Sequence, residues 1–357
     1  MKILILANDS GGLYSFRKEL IQELSKENEL YAAVPFATHV QGLQKLELQL
    51  IECDVDRRGI NPRKDLILLK KYNRILKDLN PDLVITYTIK PNIYGGIAAR
   101  LNNKQYAINI TGLGTAFENH GLIRRVVVNL YKFVLKKAKV IYFENSGNRD
   151  VLVSFRCCKS EQTVVLQGAG VNTEYYSYQP YPQNDMFKFL FVGRVMKEKG
   201  IGELFESMQK LTTDGNKCFL DVVGPFEEEY NDTLKQYESK GWLKYHGYQE
   251  DVKPFIAACD CFVLPSYHEG MANTNLECAS SGRPIITSNI PGCKEAVIEE
   301  VSGFLCEPRE VGSLYEVMKK MVGMTREARE KMGRAGRRHM EEKFDKRKVV
   351  EETLKHL

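Results

Sequence analysis

Lys2-Ile3-Leu4-Ile5-Leu6-Ala7, then Asn8-Asp9-Ser10-Gly11-Gly12, then the amphipathic stretch Tyr14–Ser25, reads as one strand, one glycine turn and one helix. A short continuous apolar run bounded by polar turn residues suits a strand buried on both faces. The same alternation recurs along the chain. Further strands are expected at Glu29–Val34, Leu48–Glu52, Leu83–Tyr87, Tyr106–Ile110, Val140–Glu144 and Thr163–Leu166, with Arg63–Leu79 a second clear amphipathic stretch. A second series follows at Phe187–Val192, Cys218–Val223, Leu243–Tyr245, Cys261–Leu264, Pro284–Ser288 and Gly303–Cys306. Strand–helix alternation of this regularity argues for α/β architecture with doubly wound parallel sheets. Between the series lies Tyr175–Asp185, polar, tyrosine-rich and carrying two prolines, which reads as a linker. Two Rossmann-like domains are therefore expected, 1–175 and 186–341, with the charged tail at about 342–357 packing back on the first.

Composition sets the outer bounds. The 357 residues, 43% hydrophobic and 27% charged with 27 Gly and 12 Pro, are ordinary globular usage, which excludes long disorder, collagen-like repeats and coiled-coil arrays. No apolar run approaches the roughly 18 residues that span a bilayer. The start lacks the length and cleavage site of a signal peptide, so a cytoplasmic protein is expected. Nine scattered cysteines, several inside apolar patterns (Cys259, Cys261, Cys278), fit free thiols in a reducing compartment better than a disulfide framework. Cys157-Cys158 and Cys259-x-Cys261 lack zinc spacing and histidine partners. The net charge of +5 hides +8 over residues 1–180 and −3 over the remainder. Without aromatic interleaving or a known module, that basicity does not point to nucleic acid.

In open α/β sheets, ligands bind beyond the carboxyl ends of the strands. After Phe187–Val192 comes Gly193-Arg194-Val195-Met196-Lys197-Glu198-Lys199-Gly200. Arg194 is suited to fork onto phosphate oxygens and Lys199 to act as a point charge; the other reading is a solvated lysine-rich loop. After Cys261–Leu264 comes Ser266-Tyr267-His268-Glu269-Gly270-Met271-Ala272-Asn273-Thr274-Asn275-Leu276-Glu277. Backbone amides at Gly270, Met271, Ala272, Asn273 and Thr274 open a helix N-terminus, which suits an anion. A carboxylate on either side makes sense there if each accepts hydroxyl hydrogen bonds from a sugar or a ribose. Two exposed glutamates around an ordinary N-terminus are the alternative.

Taken in order, Gly193-Arg194…Lys199-Gly200, Glu269-x7-Glu277 and Ser281-Gly282-Arg283-Pro284-Ile285-Ile286 through Pro291-Gly292-Cys293-Lys294-Glu295 resemble the retaining nucleotide-sugar glycosyltransferases of family 4. The resemblance spans the second half. It implies the GT-B fold, two Rossmann-like domains facing across a cleft. It implies that Arg194 and Lys199 hold the donor diphosphate, that Glu269 contacts donor-sugar hydroxyls and Glu277 the ribose. Gly193 and Gly224 would border the nucleotide and Tyr248, beside Gly247, the base. Ala272 and Asn273-Thr274-Asn275 occupy a stretch that varies in the family. Gly11 and Gly12 resemble its glycine loop facing the donor phosphates; they form neither a GxGxxG fingerprint nor a Walker motif.

In the first half, Arg57-Arg58-Gly59-Ile60-Asn61-Pro62, Thr88-Ile89-Lys90-Pro91-Asn92 and Thr111-Gly112-Leu113-Gly114 resemble a bacterial subgroup that builds capsule, O-antigen or protein-glycan oligosaccharides on lipid carriers. Lys90 would then meet the acceptor's pyrophosphate, with Thr111 nearby and His120 the nearest candidate for a histidine that touches the donor sugar in several relatives. Asp54-Val55-Asp56 is a D-x-D, the metal signature of the other glycosyltransferase fold, but it sits in a chain without that layout; no metal and no cofactor are expected. Along Leu122–Lys139 no acid occurs, and Arg124, Arg125, Lys132, Lys136 and Lys139 fall within about 120° of a helical wheel, with Ile123, Val126, Val127, Leu130, Phe133, Val134 and Ala138 on much of the other side. That pattern reads as a domain helix with its apolar face on the sheet, and its cations as a contact for an anionic membrane surface on the inner face of the membrane.

The expected reaction is transfer of a hexose or N-acetylhexosamine from a UDP-sugar to a lipid-linked saccharide with the anomeric configuration retained. Arg194, Lys199 and the helix N-terminus would stabilise the departing diphosphate without a metal. The competing readings are an epimerase of the same fold, a phosphorylase, which would need a pyridoxal lysine and more chain, and a nucleotide-sugar-binding protein without turnover.

Overall fold

The computed structural model describes residues 1–56, 61–114, 117 and 121–357. The chain forms two units, Met1–Ala169 with Arg347–Leu357, and Gly170–Lys346.

The first unit holds seven parallel strands: β1 (Lys2–Leu6), β2 (Glu29–Val34), β3 (Leu48–Glu52), β4 (Leu83–Tyr87), β5 (Gln105–Ile110), β6 (Val140–Phe143) and β7 (Thr163–Val165). Their order is β3-β2-β1-β4-β5-β6-β7. Ile5 pairs with Ala32 on one side and Ile85 on the other. Successive side chains point to opposite faces, so Ile3 and Ile5 join Leu20, Ile21 and Leu24 of the helix Ser10–Ser25. Leu4 and Leu6 join the opposite core, under the helices Pro62–Leu79, Gly96–Leu101 and Leu122–Leu135. Local chemistry sets the helix ends. The Asn61 side chain accepts from the Arg63 and Lys64 amides, Pro62 supplies a ready-made φ for the first turn, and Asn80 in the left-handed region stops the helix.

The helix Leu122–Leu135 corrects one expectation. It buries Val128, Tyr131, Val134 and Leu135, a stripe within about 120° at 100° per residue. Ile123, Val126 and Phe133, expected on the buried side, stand 46%, 49% and 47% exposed, and Leu122 76%. The helix carries a wider apolar arc than one sheet face can cover, and the fully buried Tyr131 ring centres the covered part.

The second unit holds β8 (Phe187–Val192), β9 (Cys218–Val223), β10 (Leu243–Tyr245), β11 (Cys261–Leu264), β12 (Ile285–Ser288) and β13 (Gly303–Cys306), again parallel, in the order β10-β9-β8-β11-β12-β13. Tyr175–Asp185, read as a linker, is bonded into this unit. The buried Arg283 donates from Nη1 to the Gln179 carbonyl at 3.1 Å and from Nη2 to that of Pro180 at 2.9 Å. Its Nε and Nη2 also hold the carbonyls of Ile256 and Ala257. The Tyr181 hydroxyl reaches the Asp260 carbonyl at 2.8 Å, and Arg326 holds the carbonyls of Tyr181 and Pro182. One guanidinium thus replaces the ladder that an irregular segment lacks. The tail forms a helix Arg326–His339, a π-helical turn Met340–Phe344 and the helix Lys346–Leu354. The last of these enters the first unit, where Val350 joins the Ile3–Ile5 core and the Tyr142 hydroxyl donates to the Thr353 carbonyl at 2.7 Å.

Replacing Arg283 by Met keeps the volume and leaves buried carbonyls bare at about 1–3 kcal/mol each. Arg283→Met is expected to lower the unfolding free energy of the chain by about 3 kcal/mol or more; an unchanged urea midpoint would remove Arg283 from this role.

Candidate functional site

Each sheet has a point where strand order reverses, between β1 and β4 in the first unit and between β8 and β11 in the second. Loops leaving the two strands in opposite directions open a crevice there.

In the second unit that crevice receives both expected motifs. The β8 loop runs through Gly193 and Arg194 into a short 3₁₀ turn, Lys197–Lys199, ended by Gly200 at φ +68°. A Cβ on Gly200 would lie 2.1 Å from the Pro265 carbonyl oxygen. Only glycine lets the β8 loop come this near the β11 loop. As a result Lys199 Nζ donates to Glu269 Oε1, with both side chains largely buried. Ser266 Oγ donates to the same oxygen at 2.8 Å. The Glu269 end is gripped from behind as well. Gly292, at φ +88°, approaches the carbonyls of Glu269 and Gly270, and its own carbonyl accepts from the Ala272 amide at 2.7 Å. Glu295 Oε2 in turn accepts from the Gly292 amide at 2.8 Å.

The helix that follows, Asn273–Ser280, begins at Ala272, which has no side-chain acceptor to cap it. The positive end of its dipole therefore stands beside the Lys199–Glu269 pair without a capping side chain, the arrangement that attracts an anion. Met271 and Ala272 are buried, while Asn273 and Thr274 are half-buried. Asn273 Oδ1 is shielded and has no partner among the described residues. Arg194 is 40% exposed, with Nη1 3.4 Å from Glu227 Oε2. Glu277 lies one turn into the helix. Burial pushes its carboxyl up to about 7, against the opposing pull of the Tyr176 hydroxyl and Lys346. Gly224, after β9, donates its amide to the Gly247 carbonyl at 2.8 Å, next to Tyr248, which is 61% exposed.

The first unit is less direct. Gly12 donates its amide to Asp9 Oδ2 at 3.0 Å, the N-cap of the first helix, and a Cβ on Gly11 would lie 2.3 Å from Thr38 Oγ1. Both glycines thus serve the turn itself. Lys90 is held by Asp65, Nζ to Oδ1 2.8 Å, with side chains 14% and 13% exposed. The pair borders a cavity of about 470 Å³ shared with Asp54, Asp56, Lys64 and Lys71. Asp56 is paired with Lys64 at 3.1 Å. Among the described residues no group of three or more His, Cys, Asp or Glu is placed to hold a metal ion. Thr111 is half-buried just after β5. His120, Thr115 and 57–60 lie outside the described residues. Sequence reading missed Ser266, Asp65 and Tyr176 as partners of the site. Ser266 stands three residues before Glu269, a signal available in the motif; the other two come from distant segments.

Comparisons with known proteins agree along the chain. The family model Glycosyl transferase 4-like matches residues 2–145, and Glycosyl transferases group 1 matches residues 179–339. N,N'-diacetylbacillosaminyl-diphospho-undecaprenol alpha-1,3-N-acetylgalactosaminyltransferase of Campylobacter jejuni is 27% identical over 337 residues, 88% of each chain. UDP-Gal:alpha-D-GlcNAc-diphosphoundecaprenol alpha-1,3-galactosyltransferase of Escherichia coli is 28% identical over 283 residues, 73% of this chain and 71% of its own. Among solved structures, Anabaena Alr3699/HepE in complex with UDP and glucose superposes with a TM-score of 0.82 at 18% identity, covering 100% of both chains.

The raised pKa of Glu277 makes stability depend on pH. The native carboxyl keeps its proton up to about pH 7, whereas the unfolded one releases it near the ordinary 4.5. Stability therefore falls as pH rises through that window and is flat above it. Glu277→Gln removes the titration, so its melting temperature should gain on the wild type between pH 5 and 8. Parallel melting curves across that range would refute the assignment.

With two parallel-sheet domains and family models matching both halves, the chain belongs to the glycosyltransferases of the GT-B fold, 4-like in its first half and group 1 in its second.

Proposed function

We propose that this glycosyltransferase moves a hexose or N-acetylhexosamine from a UDP-sugar to an undecaprenyl-diphosphate-linked saccharide, with retention and without a metal. The observation that carries this reading is the Lys199–Glu269 pair beside an uncapped helix N-terminus, with Arg194 on the same loop as Lys199. Bond cleavage at the anomeric carbon leaves charge on the diphosphate. Lys199, Arg194 and the first-turn amides of Asn273–Ser280 stabilise that charge, electrostatics fixed in place before the reaction. Glu269, anchored by Lys199 and Ser266, accepts from sugar hydroxyls and orients the ring; Glu277 does the same for the ribose. Gly193, Gly224 and Tyr248 line the approach of the nucleotide. The acceptor reading draws on the relatives' substrates and on Lys90, with Thr111 and His120 the other candidates.

The exposed apolar stripe of Leu122–Leu135 supports attachment to the membrane in which such an acceptor resides. Leu122, Ile123, Val126 and Phe133 stand beside the exposed cations Arg125, Lys132 and Lys136, and the neighbouring helix Gly96–Leu101 adds Leu101, 66% exposed. An amphipathic surface of this kind inserts its apolar side chains below anionic headgroups. No helix among the described residues is long and apolar enough to cross a membrane.

The direct experiment is UDP release from a panel of UDP-sugars with undecaprenyl-diphosphate-linked saccharides, followed by anomeric analysis of the product. Lys199→Ala and Arg194→Ala should each lower turnover about 10²–10³-fold, and EDTA should leave the wild type unchanged. An epimerised UDP-sugar formed without acceptor, or an inverted product, would overturn the reading. Replacing Val126 and Phe133 by Ser should release the protein from phosphatidylglycerol vesicles while UDP release from a detergent-solubilised acceptor persists. Equal vesicle binding by the variant would exclude this surface.

A further inference from the structure

Thr88 is the first residue after β4, at the reversal point of the first sheet. Its φ is +72°, in the left-handed region. It is the one β-branched residue with positive φ among the described residues. A second methyl or hydroxyl on Cβ crowds the backbone in that region, so glycine or asparagine would sit there at less cost. A second penalty falls on the same residue. Thr88 Oγ1 is shielded from solvent and has no hydrogen-bond partner among the described residues. Backbone strain and an unsatisfied buried hydroxyl persist together only where the surroundings impose them, and strain of this kind clusters at ligand sites.

The surroundings here are unusually stiff. The Asn92 amide donates to the Thr88 carbonyl at 2.9 Å and opens a π-helical turn, Pro91–Gly95. Below it lies a buried polar triad. Thr86 Oγ1 donates to Asn92 Oδ1 at 2.7 Å, Asn92 Nδ2 to the Asn109 carbonyl at 2.8 Å, and Asn109 Nδ2 to the Thr86 carbonyl at 3.2 Å. Asn92 is 1% exposed. The ends of β4 and β5 are thereby tied side by side, and the loop between them and Thr88 has no slack in which to relax. On the other flank, Gly114 leaves room for Ile89, whose Cδ1 would stand 2.7 Å from a Cβ there.

We propose that Thr88 is an acceptor-binding residue, its hydroxyl hydrogen-bonded to an oxygen of the acceptor's sugar-diphosphate head. This deepens the function proposed above and rests on it. The choice of acceptor over donor follows from the contents of the two crevices. The second unit already supplies cations for the donor diphosphate and a carboxylate each for sugar and ribose. The crevice of the first unit has Lys90, a cation two residues from Thr88 and held in place by Asp65. An oxygen-rich anionic ligand there satisfies the hydroxyl that the folded chain leaves unpaired.

Three variants separate the terms. Thr88→Gly removes the strain and the hydroxyl, Thr88→Val keeps the branch without the hydroxyl, and Thr88→Ser keeps the hydroxyl. Thr88→Gly should raise the melting temperature by about 2–4 °C. Both Thr88→Gly and Thr88→Val should raise KM for an undecaprenyl-diphosphate-linked N-acetylhexosamine about tenfold with KM for the UDP-sugar unchanged, and Thr88→Ser should stay near the wild type. A lower melting temperature in Thr88→Gly would remove the strain premise. An unchanged acceptor KM in Thr88→Val, or a raised donor KM instead, would overturn the assignment. Binding is read independently of turnover, by the thermal shift that the same lipid-linked sugar produces. A shift in the wild type that Thr88→Val lacks supports the proposal, and equal shifts refute it. Absence of turnover in the wild type with every donor would instead sink the function on which the inference rests.

Discussion

In a parallel sheet every strand delivers its carboxyl end to the same edge, and whatever the sequence places just after each strand is collected there. That single constraint organises both units. In the second it brings the loop after β8 against the loop after β11, although the two are far apart in sequence, and the close approach of Gly200 to Pro265 sets how near they come. A Lys–Glu pair at that contact is more than an ion pair. It stores a cation and a hydrogen-bond acceptor in fixed positions beside a helix dipole, the preorganised electrostatics on which the proposed donor site rests. The carboxylate keeps the lysine from drifting toward solvent, and the Ser266 hydroxyl keeps the carboxylate from following it.

The strands were legible because each is short, nearly continuous in Val, Ile, Leu and Phe, and bracketed by turn residues. The run Leu83–Tyr87 is buried at every position, which is the condition that produces such a run. The motifs after β8 and β11 stood out for a related reason: glycines, cations and carboxylates within a few residues of a strand end have few structural uses at once. What stayed hidden depends on pairs far apart in sequence. Arg17 meets Glu144 at 2.5 Å across the first unit, and Lys90 meets Asp65 from a different helix. Neither pairing has a local signal. Tyr175–Asp185 read as a connector because its composition is that of a loop. Its order comes from Arg283 and Arg326, which supply donors from outside.

The helix Leu122–Leu135 shows a different limit. A helical wheel separates charged from apolar residues, and it does so correctly here. It does not say how much of the apolar arc a neighbouring sheet will cover. Tyr131 faces the core and fixes the rotation of the helix, leaving Val126 and Phe133 outside. The backbone torsion of Thr88 is equally invisible in the sequence, because threonine after a strand is unremarkable until its φ is known.

The polypeptide passes between its units twice, near Ala169 and again near Lys346. Val350 and Thr353, which help close the first core, are added only after the whole second unit has been translated. A nascent chain on the ribosome therefore holds its first sheet with one flank bare until the second unit has been made. The order of assembly is set by topology: the second unit has all its residues in one stretch and can complete itself first.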